Sequence, residues 1–118
     1  MEPVLILILA GPETHEGLGR AANALELAKE LKSAAHPVEV LFDGAGTAMA
    51  AALADPGHRL HGLFAAVQDR VLGACAHCAR AFGALEQLER LGLPLVAEFE
   101  GHPSLARFLR EGYRVLTF

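Results

Sequence analysis

Val4-Leu5-Ile6-Leu7-Ile8-Leu9 is apolar at every position. A strand with one wet face alternates apolar and polar residues. A strand that does not alternate is buried on both faces, as in the middle of a parallel sheet covered by helices. Val38-Glu39-Val40-Leu41-Phe42 reads as a second strand. Between the two, after the loop Gly11 to Gly17, residues Leu18 to Lys32 place Ala21, Ala22, Leu25, Ala28 and Leu31 at helical spacing. Pro37 blocks any extension of that helix.

The alternation continues to the end of the chain. Asp43-Gly44-Ala45-Gly46-Thr47 is a turn running into an Ala-rich helix that stops near Asp55-Pro56-Gly57, and a further helix is predicted over about His58 to Gln68. Arg70-Val71-Leu72-Gly73-Ala74 is the third strand. A helix over Ala79 to Leu91 follows, capped by Gly92, and Leu93 to Phe99 is the fourth strand. Pro103 suits the first turn of a short helix carrying Leu105, Phe108 and Leu109, and Tyr113 to Phe118 is the fifth strand. Strands interleaved with helices specify an α/β fold. The expectation is a flavodoxin-like, doubly wound, mostly parallel five-stranded sheet with helices on both faces, formed as a single domain over residues 1–118.

Composition excludes several classes of function. The chain has 118 residues, 53% of them hydrophobic, and a net charge of −4. Nucleic-acid binding needs clustered Lys and Arg, or aromatic platforms, and one Tyr with no Trp supplies neither. The apolar opening is too short and lacks the basic flank of a signal peptide, and no stretch approaches a membrane span. A cytoplasmic protein is expected. In that compartment paired cysteines read as catalytic, redox or metal-binding rather than as a staple.

Cys75 and Cys78 are the only cysteines, and they sit where the third strand turns into a helix. In a doubly wound sheet, ligands meet the loops at the carboxyl ends of the strands. A helix N-terminus or an adjacent cation lowers a thiol's pKa and exposes the nucleophilic thiolate. Cys75, nearest the strand end, is the candidate nucleophile. Cys78, one turn on, is a resolving thiol or part of the core, and His77 between them offers charge or a proton relay. Asp43 ends a neighbouring strand, and His15 in the first loop and His102 before Pro103 are placed to reach the same edge.

Other readings fit less well. A zinc signature wants a second ligand pair at matching spacing. His58 and His61 form the only close histidine pair, upstream on a predicted helix, where solvated helix-face residues explain them and no metal is called for. A thioredoxin-type motif would follow the first strand, not the third. Gly44-Ala45-Gly46 lacks the last glycine of the dinucleotide fingerprint and follows the wrong strand. There is no Walker lysine and no Ser-His-Asp order.

Val40-Leu41-Phe42-Asp43-Gly44-Ala45-Gly46, the segment Gly73 to Gly83 around the cysteines, and Gly112 to Phe118 together resemble the DsrE/DsrF-like family, which includes the YchN-type proteins and the TusD-type sulfur carriers. The resemblance covers essentially the whole chain. It implies a small flavodoxin-like domain and a cysteine that carries sulfur as a persulfide between donor and acceptor proteins. By position that cysteine is Cys75, with Cys78 available to resolve it and no organic cofactor. It also implies a homotrimer or homohexamer. The Cys-Ala-His-Cys sequence departs from the family's single-cysteine pattern and leaves the alternative of an oligomeric binding protein whose pair is structural or holds a metal.

Overall fold

The computed structural model describes residues 1–118. Strands β1 (Val4–Ile8), β2 (Val38–Phe42), β3 (Val71–Cys75), β4 (Leu95–Val96) and β5 (Arg114–Thr117) form one sheet in the order β4-β3-β2-β1-β5. Every pairing is parallel. The expected α/β sheet wound on both faces is present, with a strand order different from the 2-1-3-4-5 of flavodoxin itself.

That order dictates where the helices lie. β1, β2, β3 and β4 step one way across the sheet. Right-handed crossovers therefore set α1 (His15–Ser33), α2 (Gly46–Leu53), α3 (His61–Ala66), α4 (Ala76–Ala81) and α5 (Leu85–Arg90) on one face. The step from β4 to β5 runs back across the whole sheet and puts α6 (Leu105–Arg110) on the other face. The core divides accordingly. Ile6, Ile8, Val40 and Phe42 pack with Leu25, Met49, Phe64 and Leu88, while Leu5, Leu7 and Leu41 pack with Phe108 of α6. β1 is buried at all five positions, as its unbroken apolar run requires.

Several boundaries differ from the sequence reading. The helix predicted from His58 starts at His61, because Asp55 Oδ1 accepts from Gly57 N–H and His58 Nδ1 from Leu60 N–H, holding that stretch in turns. The helix predicted over Ala79–Leu91 is two helices. The break is at Gly83 (φ +73°), beyond which Ala84 N–H returns to the Ala79 carbonyl and caps α4. α6 begins after Ser104, whose side chain accepts from Arg107 N–H, so Pro103 precedes the cap. β4 is two residues long, not seven, and the chain then leaves the sheet.

Gly73 shapes β3 where it approaches the site. Val40 pairs with Val71 but Leu41 with Gly73, a bulge on β3. Gly73 has φ +146°, and a Cβ there would lie 2.2 Å from the Pro94 carbonyl oxygen, which accepts from Ala74 N–H at 2.9 Å. Glycine thus lets β4 close onto β3 at the last residues before Cys75.

Candidate functional site

Cys75 is both the last residue of β3 and the N-cap of α4. Its sulfur, fully buried, accepts from Cys78 N–H at 3.3 Å. Phe42 pairs with Ala74, so one residue further along the two strands brings Asp43 beside Cys75. Asp43 is held in turn by Gly44 N–H, which donates to its Oδ1 at 2.9 Å. Gly46 lets this turn lie close on β1, for a Cβ there would sit 1.9 Å from the Ile8 oxygen.

The fourth side chain arrives from beyond β4. Phe99-Glu100-Gly101-His102 is a tight turn with positive φ at both central residues, +50° and +83°, closed by His102 N–H to the Phe99 oxygen at 2.8 Å. These are the marks of a type I′ turn. The turn docks on α4, where His77 N–H donates to the Gly101 oxygen at 3.0 Å. His102 Nδ1 is thereby brought 3.3 Å from Cys75 Sγ and 3.9 Å from Cys78 Sγ. Glu98 steadies the loop by accepting from Ser104 N–H and pairing with Arg107, and these partners hold its carboxyl below the usual range.

Of the residues singled out in the sequence, Asp43, Cys75, Cys78 and His102 come together, with one ligating atom from each all within 4.8 Å of one another. His77 takes a different post. It is exposed, and its ring lies against that of His102, tilted by 40° with centroids 4.5 Å apart. His15 opens α1 instead of lying in the loop, and lines a separate depression with Leu18, Ala22 and Arg59. His58 and His61 have their Nδ1 atoms engaged by Leu60 N–H and the Leu53 carbonyl.

Two contributors carried no functional signal in the sequence. Thr47 is fully buried, and its hydroxyl lies within reach of the Gly44 and Cys78 carbonyls at 2.8 and 3.3 Å, tying the Asp43 turn to α4. Gly101 supplies the turn that folds His102 back. Glu100-Gly101 signals a turn in the sequence, but not a functional one.

The electrostatics depart from the expected low-pKa thiolate. Burial pushes the Cys75 thiol up to about 12; Cys78 N–H opposes this, and the Cys78 thiol and Asp43 carboxylate add to the rise. α4 has only six residues and offers little dipole against that burial. Cys75 is a neutral thiol at rest, paired with an imidazole able to take its proton.

The family model for the DsrE/DsrF-like family matches residues 3–118. The chain belongs to this family. A curated relative, an uncharacterized protein from Methanocaldococcus jannaschii, MJ0733, is 31% identical over 94 residues, spanning 80% of this chain and 76% of its own. BT1422 from Bacteroides thetaiotaomicron, a conserved protein of unknown function, superposes with a TM-score of 0.65 over 97% of this chain and 93% of that one. At 16% identity that likeness speaks to fold alone. No helix of this DsrE-like protein is long and apolar enough to cross a membrane.

Proposed function

We propose that this protein is a persulfide carrier of the sulfur-relay type, accepting sulfur on Cys75. The observation that carries the reading is the 3.3 Å approach of His102 Nδ1 to a buried Cys75 Sγ at the carboxyl edge of the sheet, with a second thiol beside it. Membership of the DsrE/DsrF-like family supports the same chemistry.

The step balances without a redox partner. His102 Nδ1 takes the thiol proton as Cys75 Sγ attacks the outer sulfur of a donor persulfide. A new S–S bond forms on Cys75, the donor's S–S bond breaks, and the donor leaves as a thiolate. Cys78 N–H, already aimed at Cys75 Sγ, stabilises the charge that develops there. Delivery runs in reverse, with an acceptor thiolate taking the outer sulfur and Cys75 leaving. Cys78 is the partly exposed thiol of the pair, and Cys75 the buried one. The partners under this reading are a donor protein, an acceptor protein and further copies of the chain in a trimer or hexamer. The site itself calls for no organic cofactor.

Cyanolysis tests the reading, because cyanide removes a persulfide's outer sulfur as thiocyanate. Protein loaded from a sulfane donor and desalted should release about one thiocyanate per chain, and Cys75→Ser should release none. Equal release from wild type and Cys75→Ser would overturn the assignment to Cys75, and no release from either would overturn the carrier reading.

A further inference from the structure

We infer that Asp43, Cys75, Cys78 and His102 form a four-coordinate site for a zinc-class divalent cation. This inference does not depend on the carrier reading. A tetrahedral centre with ligand bonds of about 2.0–2.3 Å has ligand-to-ligand edges of about 3.3–3.8 Å. The two sulfur-to-Nδ1 separations, 3.3 and 3.9 Å, lie close to that range, and all four donors fall within 4.8 Å of one another. The cluster is therefore near the dimensions of a coordination sphere, its outer bound of 4.8 Å lying about 1 Å beyond an ideal edge.

The donor set also fits. Two thiolates, an imidazole and a carboxylate are the ligand types that zinc takes, and soft sulfur disfavours calcium and magnesium. On binding, both thiols release their protons to solvent, and the His102 ring carries its hydrogen on Nε2, leaving the Nδ1 lone pair for the ion. Three anionic ligands then surround a doubly charged cation. The outer shell is in place as well: Cys78 N–H reaches Cys75 Sγ, Gly44 N–H holds Asp43, and Thr47 ties the Asp43 turn to the Cys78 carbonyl. Each ligand comes from a different constraint of the fold, namely the ends of β2 and β3, the first turn of α4, and the type I′ turn. Apart from Cys75 and Cys78, no two are near in sequence.

Occupation would engage the same thiolate that the carrier step uses, so cation and sulfane sulfur would exclude one another. Cobalt(II) is the probe, since it takes zinc sites and reports thiolate ligation and tetrahedral geometry by absorption. Reduced, chelator-treated protein should bind one equivalent, giving a sulfur-to-cobalt charge-transfer band and intense visible d–d bands, both abolished by zinc. Asp43→Asn, which keeps the oxygen that accepts from Gly44, and His102→Gln should each weaken binding by more than the roughly 10–100-fold that loss of an outer-shell partner costs. His58→Gln should bind as wild type does. Weak, pale cobalt absorption, or affinity unchanged in Asp43→Asn and His102→Gln, would overturn the site. Protection needs no variant. Zinc should shield both cysteines of the wild-type chain from maleimide, and modification of Cys78 at an unchanged rate would also overturn it. Sulfur uptake by metal-free protein is read separately, so either proposal can fail alone.

Discussion

At the scale of the residue, the two thiols share a histidine but not an environment. Cys75 is fully buried and its thiol pushed up to about 12, whereas Cys78 is half-exposed. Maleimide at pH 7 should therefore label Cys78 first, with Cys75 slower by on the order of 100-fold or more until denaturant equalises them; peptide mapping reads the ratio. Comparable rates would mean that the Cys75 sulfur is open in solution. Losing the proton acceptor, as in His102→Gln, should slow sulfur loading by about 100-fold or more at unchanged fold, measured by stopped-time alkylation. The cysteine pair, Asp43 and His102 were legible as chemistry-bearing residues at strand ends. The high thiol pKa was not, because it depends on how completely β3, α4 and the returning loop exclude water, which no local pattern encodes.

At the scale of the element, the site depends on one turn and one bulge. Gly101 sits at φ +83°, and a Cβ there would lie 3.4 Å from His77 Cβ. Gly101→Ala should cost about 1–2 kcal/mol in stability, read from denaturant midpoints, and should slow sulfur loading because His102 shifts with the turn. Glu98 holds the far end of that loop, with its carboxyl below the ordinary range through Ser104 N–H and Arg107. A depressed carboxyl contributes stability above its ordinary pKa and loses it as pH falls through the lowered value. Glu98→Gln should accordingly remove an acid-sensitive part of the loop's order, visible by hydrogen exchange at Phe99 and His102. Leu93 to Phe99 is apolar enough to suggest one long strand, yet β4 spans only Leu95–Val96. Phe99 and His102 instead bridge each other across the turn, and Phe99 stays exposed.

At the scale of the whole molecule, the run from Val4 to Leu9 and the regular interleaving of strands and helices were enough to give the class of fold. They could not give the order of the strands. That follows from the β4-to-β5 return, which also leaves α6 alone on its face. On that face Tyr113 donates from its hydroxyl to Glu39 of β2, and this bond, with burial, pushes the phenol up to about 12. The sign follows from linkage. The contribution is complete below the unfolded phenol's value near 10 and is lost as pH rises from about 10 to 12. Tyr113→Phe should flatten the stability profile over that window, measured by urea unfolding, while leaving the neutral-pH site geometry unchanged.

The most direct measurement is intact-protein mass spectrometry of the reduced, metal-free chain after exposure to a sulfane-sulfur donor, with Cys75→Ser and Cys78→Ser alongside. The account predicts a reductant-sensitive gain of one sulfur atom in wild type and in Cys78→Ser, and none in Cys75→Ser. A gain that survives Cys75→Ser, or no gain in any of the three, would contradict it.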